Sequence, residues 1–466
     1  MARLDNYFGE ADASVDSAET LTAQHVFRDL EQHVKWGSRS SGKQVVVGVK
    51  GSGKTELRRH LESQTDSYVL NFDADHAYFS QDVSTIGEPS GRTKNAVATI
   101  LIREFARRFS ESQKSKTATA LKKALDVSTS IVKQVPNAID LTVPGATLKL
   151  GALLQRDAAS VLQSTLDRLI ADVLSALRDA GKVGAILIDD VEDVFSGISD
   201  NPLFLEGVAR AVADINNHGE ERLHAVLFVK HGLWRSWFER PKEYDRVRSV
   251  IDFLTWDHDA LVELIAKRIA HRRGMEVAQS LEVEALWARE FSWAGKFDTF
   301  TRYCTQYCVS GPRDMVTLCN LAAGKPAGDE PITRKHIKAS LGAYSEEKVL
   351  SLNADFGDTY PDIHKFVEQV FQEASVQMTG KELAELIESR TLLDARFHDE
   401  FKSNKQWYPA TRARLALIMY QVGVVGYKSP TGMMYAIEKP NLSNSELLEK
   451  VVVCVHPAFR PHLNIA

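Results

Sequence analysis

The sequence predicts an α/β domain with a mainly parallel sheet, then a helical lid subdomain, then a C-terminal winged-helix-like domain. Three observations predict it. Short β-branched apolar runs alternate with helical patterns up to about residue 255, the signature of strands buried on both faces. No clear strand pattern occurs between 257 and 350. Beyond 350, three helical patterns precede two short strand patterns. The implied divisions are 1–255, with an insertion around 80–155, then 256–345 and 346–466.

The elements follow in order. Residues 18–36 read as a helix leading into a polar turn, Gly37 to Lys43. QVVVGV (44–49) is a first buried strand, and GSGKTELRRHLES reads as a turn entering a helix. SYVLNFDAD (67–75) is a second strand with acidic residues at its end, and 93–110 an amphipathic helix. Residues 111–152 are Lys/Ser/Thr-rich and then carry Pro136 and Pro144, so they read as an exposed excursion. A long helix occupies 156–180. VGAILIDD (183–190) is a third strand, 203–217 a helix and LHAVLFVK (223–230) a fourth strand. Helices follow at 258–273, 281–291, 312–323 and 331–343, then at 361–375, 379–391 and 409–421. GMMYAIEK (432–439) and KVVVCVHP (450–457) are short strands that suggest a wing.

Composition bounds the function. The chain has 466 residues, 44% of them apolar and 26% charged, which excludes wholesale disorder and fibrous classes. The net charge of −5 advertises no general affinity for nucleic acid. Four cysteines, Cys304, Cys308, Cys319 and Cys454, form no CxxC pair. They fit a reducing compartment, and no zinc site is expected. The first residues lack a signal-peptide apolar core, and no run approaches a membrane span. A cytoplasmic protein without membrane contact is expected.

The chemistry lies in residues 48–55, GVKGSGKT, an intact GxxxxGK[ST] phosphate loop after a strand and before a helix. Gly48, Gly51 and Gly53 let the backbone, with Lys50 and Ser52 in the loop and Glu56 beyond it, wrap phosphate oxygens. Lys54 is the contact for β- and γ-phosphates, and Thr55 the hydroxyl ligand of Mg²⁺. The apolar strand 185–188 ends in Asp189 and Asp190. Two acids at a strand end can simply cap it. Downstream of an intact phosphate loop, Asp189 reads as support for Mg²⁺ and Asp190 as the group positioning the attacking water. Glu192 and Asp193 read as solvated turn residues. Lys230 ends the next strand, either as a γ-phosphate sensor or as an ordinary strand-end lysine. Arg235, Arg240, Arg246 and Arg248 are candidates for an arginine finger, each also readable as a surface residue. Ser310-Gly-Pro-Arg313-Asp314 opens a lid helix with Pro312 in its first turn. Arg313 there reaches the γ-phosphate or pairs with an acid such as Asp314.

These residues carry a resemblance. GVKGSGKTEL, ILIDDVED, LTWDHDALVELIAKRI (254–269) and the GPRD helix start resemble AAA+/STAND-type P-loop ATPases of the origin-recognition-complex branch. FGEADAS (8–14) and the ending VGVVGYKS…VHPAFRPHLNI are similar to bacterial P-loop ATPases of phage-defence loci. The resemblance implies an ATPase core, a helical lid and a winged helix, with ATP and Mg²⁺ as cofactors. It also implies homo-oligomerisation and a separately encoded effector. Asp190 stands where many fast relatives carry Glu, which favours slow hydrolysis and a switch.

A rival reading is an ATP-tuned DNA-binding protein resembling a replication initiator or loader. Lys402, Lys405, Arg412 and Arg414 lie near the helix at 409–421, opposed between 400 and 414 only by Glu400 and interleaved with Trp407 and Tyr408. A winged helix can place such a face on DNA phosphates or use it to dock protein. A third reading is a scaffold that binds nucleotide only for structure. The aromatic stretch 287–303 reads as lid core or as a partner groove.

Overall fold

The computed structural model describes residues 6–9, 44–62, 67–72, 90–113, 119–126, 159–191, 202–238, 251–275, 282–309, 311–357, 359–401, 407–408, 410–430, 432–436 and 442–465. The expected helix at 18–36 lies outside them. The chain divides into two compact units. One holds Phe27–Gly48 and Lys54–Leu254; the other holds Thr255–Ala466 together with Val49–Gly53 and the N-terminal segment.

The first unit is built on five parallel strands: β1 (Val45–Gly48), β2 (Ser67–Phe72), β3 (Val183–Ile188), β4 (Leu223–Lys230) and β5 (Ile251–Phe253). Their order across the sheet is β2-β3-β4-β1-β5. Strand residues alternate between faces, and the sequence supplies apolar side chains for both. Val45, Val47, Ile186, Ile188, Leu227 and Val229 pack with α2 (Ser90–Ser112), α3 (Ala159–Ala180) and α4 (Pro202–His218). Val46, Leu187, Val226 and Phe228 pack instead with Leu57 and Leu61 of α1 (Lys54–Glu62). This explains why the strands are apolar runs rather than alternating ones. α5 (His231–Phe238) follows β4 directly.

One boundary changes here. The insertion expected around 80–155 includes α2, yet Val97, Leu101, Phe105 and Phe109 of α2 are core residues beneath the sheet. Their spacing of four carries them down one helix face. α2, expected as a helix at 93–110, is therefore a layer of the domain and not part of an insertion.

The second unit is mostly helical. Its helices are α6 (His258–Arg272), α7 (Val283–Trp287), α8 (Phe297–Thr305), α9 (Pro312–Ala323) and α10 (Arg334–Phe356). A two-residue parallel pair, β6 (Phe291–Ser292) with β7 (Ile332–Thr333), joins them where no strand was expected. The aromatic stretch is core: Trp287, Phe291 and Phe300 are buried and ring-packed. Residues 6–9 belong to this core as well. Arg268 and Arg272 donate to the Phe8 and Tyr7 carbonyls, and Phe8 stacks on Phe291.

The boundary expected at 345–346 falls inside α10, a single helix of 23 residues. Beyond it come α11 (Ile363–Phe371), β8 (Gln377–Thr379), α12 (Gly380–Ile387) with a π-helical extension at Glu388–Leu392, and α13 (Ala395–Phe401). Then follow α14 (Arg412–Gln421), β9 (Val425–Ser429), β10 (Gly432–Met434), α15 (Asn444–Lys450) and β11 (Val452–Val455). The two expected strands are part of a four-stranded antiparallel sheet of order β10-β9-β11-β8.

Candidate phosphate-binding site

The loop at 48–54 begins where β1 ends and closes where Lys54 opens α1. Gly51 and Gly53 have φ of 81° and 94°, a region that glycine enters without strain. The Ser52 N–H donates to the Val49 carbonyl at 3.2 Å, tightening the turn. The first N–H groups of α1 have no partner inside the helix, and the helix dipole is positive at that end. Lys54 Nζ donates to the Gly48 carbonyl at 3.0 Å. Ser52 is fully buried, and its Oγ has no hydrogen-bond partner among the described residues. Gly53 is buried too, and its N–H finds no acceptor among those residues. Orphaned buried polar groups at a helix start fit an anion. Strand, loop and helix, on a parallel sheet with the β2-β3-β4-β1-β5 order, make a P-loop NTPase fold.

Within the second unit, the loop apex is tied to Trp256, ahead of α6, and to the start of α9. Arg313 N–H donates to the Gly51 carbonyl at 3.3 Å, and the Trp256 indole donates to the Ser52 carbonyl at 2.8 Å. Both contacts are close. A Cβ on Gly51 would lie 2.8 Å from Arg313 Cβ. A Cβ on Gly311, whose φ is 113°, would lie 2.7 Å from Trp256 Cδ1. The expected lid arginine is thus placed against the loop. Asp314 accepts from Lys348 Nζ at 2.9 Å and from Val309 N–H at 2.7 Å. Lys348 and Asp314 are both buried. Burial pulls Lys348 down, but the Asp314 and Asp355 charges outweigh it and leave its pKa raised. Burial raises Asp355, against the opposing charges of Lys348 and Lys50.

Within the first unit, Asp189 follows β3 and is 3% exposed. Burial, reinforced by the Asp190 charge, pushes its pKa up to about 6; Arg58, Lys54 and the Asp190 N–H oppose the rise. That N–H donates to Asp189 Oδ1 at 3.0 Å, and Arg58 Nε lies 3.4 Å from Oδ2. Asp190 holds φ of 47°, a left-handed conformation that Asp tolerates better than most residues. β4 lies between β1 and β3, and Lys230 on it is the register partner of Gly48. Thr55 is the second residue of α1 and Glu56 the third. A hydroxyl at Thr55 and a carboxylate at Asp189 are hard oxygen donors suited to Mg²⁺. Among the described residues, no group of three His, Cys, Asp or Glu could hold a metal alone. Such a donor set fits an ion that takes its remaining ligands from phosphate and water.

Other expectations fall differently. Glu192, Asp193, Arg240, Arg246, Arg248, Lys402 and Lys405 lie outside the described residues, and Arg235 lies on α5. Trp407 and Tyr408 are not surface stacking residues. They are buried against Phe366, Phe397 and Phe401, because rings of that size gain most by leaving water. Arg412 is paired with Glu388, and Arg414 N–H is capped by Thr411 Oγ1. Two contributors were not anticipated. Arg58 follows Lys54 by four residues on one helix, a spacing that could have flagged it. Trp256 lies 204 residues from Ser52 and gave no local signal. None of the described helices is long and apolar enough to cross a membrane.

Residues 259–353 match the family described as a FunZ-associated C-terminal helical domain. No curated protein matches the chain. Among solved structures, it is similar to a Walker-type ATPase of Pyrococcus abyssi, at 10% identity and TM-score 0.39, covering 95% of this chain and 96% of that one. It is also similar to CDC6P of Pyrobaculum aerophilum, at 11% identity and TM-score 0.32, covering 99% and 97%. A third is the ORC2 protein of Aeropyrum pernix, at 13% and 0.28, covering 98% of each chain. Likeness this distant decides nothing about this chain; the fold rests on its own strand order and loop geometry.

Proposed function

We propose that the chain binds and hydrolyses Mg-ATP and works as a nucleotide-dependent switch. The observation that carries this reading is the buried Gly53 amide and Ser52 hydroxyl, without partners among the described residues where Lys54 opens a helix. Lys54 exchanges the Gly48 carbonyl for phosphate oxygens, and the α1 N–H groups supply further donors. Thr55 and Asp189 hold Mg²⁺, which neutralises charge on the phosphates when bound. Asp190 accepts a hydrogen bond from the attacking water and sets its direction. Lys230 is one strand-neighbour from Gly48 and suits a phosphate sensor. Arg313 answers on the lid side. Asp in place of Glu at position 190 suits slow turnover.

A role in antiphage defence with a separately encoded effector, and assembly into homo-oligomers, rest on the motif resemblance at 8–14 and toward the C-terminus. Function lives in sites grafted on folds, so these belong to experiment. Lys54→Ala should abolish ATP binding measured by calorimetry. Unchanged affinity in that variant refutes the assignment. Mass photometry with and without Mg-ATP tests assembly, and a mass independent of nucleotide removes the assembly part.

A further inference from the structure

We infer that Trp256 is a positioning residue of the phosphate loop, presenting the Gly53 amide to phosphate oxygens. The inference rests on the phosphate-loop reading above. In a trans peptide the carbonyl and the following N–H lie in one plane and point in opposite directions. The Ser52 carbonyl and the Gly53 N–H share one peptide. The Trp256 indole N–H holds that carbonyl at 2.8 Å, so the Gly53 N–H is turned the other way. That N–H is buried and unbonded among the described residues, the state of a donor set for an absent acceptor. The neighbouring peptide is fixed alike: Arg313 N–H holds the Gly51 carbonyl, and the Ser52 N–H closes on Val49.

A second observation shows that the indole's place is reserved. Gly311 has φ of 113° and no room for a Cβ, because Trp256 Cδ1 would be 2.7 Å away. The same short stretch, Gly311 to Arg313, therefore both seats the indole and supplies the Arg313 N–H. A bare peptide flip in a glycine-rich loop is easy, since glycine takes either sign of φ with little cost. Gly51 and Gly53 flank the two held carbonyls, so without an external hold the amides would sample both directions. Trp256 removes that freedom before phosphate arrives, which is preorganisation.

The test uses the full chain and three probes: ATP, ADP and inorganic pyrophosphate. Trp256→Phe keeps a ring in the pocket and deletes the N–H. Loss of one such hydrogen bond should weaken all three by roughly 3- to 10-fold, while the melting temperature of the nucleotide-free protein stays at the wild-type value. Gly311→Ala, which crowds the indole, should weaken the same three probes. Wild-type affinity for pyrophosphate and ATP in Trp256→Phe overturns the assignment. So does an affinity loss accompanied by a matching loss of melting temperature, which marks a merely structural residue. Lys54→Ala separates the two levels. If it abolishes ATP binding while Trp256→Phe binds as wild type, only the Trp256 role falls. If Lys54→Ala binds normally, the phosphate-loop reading falls with it.

Discussion

Two buried aspartates, one in each unit, meet opposite treatment. Asp314, in the first turn of α9, has both carboxylate oxygens occupied: Lys348 Nζ at 2.9 Å on one and the Val309 N–H at 2.7 Å on the other. Asp189, at the end of β3, has an adjacent N–H on one oxygen and an arginine no nearer than 3.4 Å on the other. Its neighbour Asp190 adds repulsion, and its pKa rises to about 6. A charge taken out of water is tolerated when paired and hydrogen-bonded, and is costly otherwise. Asp314 has a partner on each oxygen, whereas Asp189 is met more loosely, which is what the proposed Mg²⁺ role asks of it.

The largest break in that comparison is at Lys348. Lys348→Ala strands the Asp314 charge in the core and should cost about 3–5 kcal/mol in urea denaturation. Lys348→Met combined with Asp314→Leu removes both charges and should recover most of that loss. A double variant as unstable as the single one would show that the pair is more than a satisfied charge. α9 carries Arg313, so the single variant should also lose nucleotide affinity.

A second buried group in the same unit gives a smaller effect with a definite sign. His456 is 3% exposed, and burial depresses its pKa to about 3, opposed by the Asp314 charge and helped by the Lys348 and Arg460 charges. Its Nδ1 accepts the Ala458 N–H at 3.1 Å, a bond that protonation there would destroy. The folded pKa lies below the ordinary 6.5, so the unfolded chain takes the proton first as pH falls. Stability is full above about 6.5 and declines below it, by about 2 kcal/mol at pH 5. Denaturation midpoints of wild type and His456→Gln, followed from pH 7.5 to 5, should diverge in slope. Parallel curves would remove His456 from the account.

The legible parts of this protein were those whose physics is local. β1, the glycine loop and α1 are contiguous, and the apolar run before Asp189 can only suit a strand buried on both faces. Ser345 and Lys348 interrupt the apolar period of α10 past the expected end at 343, yet both are buried. Lys348 is paid for by Asp314, 34 residues earlier, which no helical period reveals. β9 carries little strand signal because Gly426 weakens its pattern. The glycine is there because a Cβ would meet the Tyr435 ring at 2.5 Å. Trp407 and Tyr408 looked like a nucleic-acid surface because basic residues surround them in sequence, and only the aromatic cluster shows their burial. The candidate site was legible where one stretch of chain makes it, and hidden where Trp256 or Arg58 completes it.

The smallest loss of stability should come from Asp189 itself, and it sharpens the contrast most. Asp189→Asn removes a buried charge that is only partly met, so the nucleotide-free protein should lose no stability at neutral pH. The equivalent change at Asp314 strands Lys348 and should be destabilising. The pH dependence separates them further. Asp189 has a folded pKa above its unfolded one, so between about 3.8 and 6 the folded state holds the extra proton. Stability from this group therefore falls as pH rises through that window, and Asp189→Asn should abolish that slope. Function should move the opposite way. Asp189→Asn should lose the Mg²⁺ dependence of ATP binding in calorimetry run with and without the ion, at unaltered fold. A variant that is strongly destabilised yet still binds ATP in a Mg²⁺-dependent manner would place Asp189 with Asp314, among the structural acids.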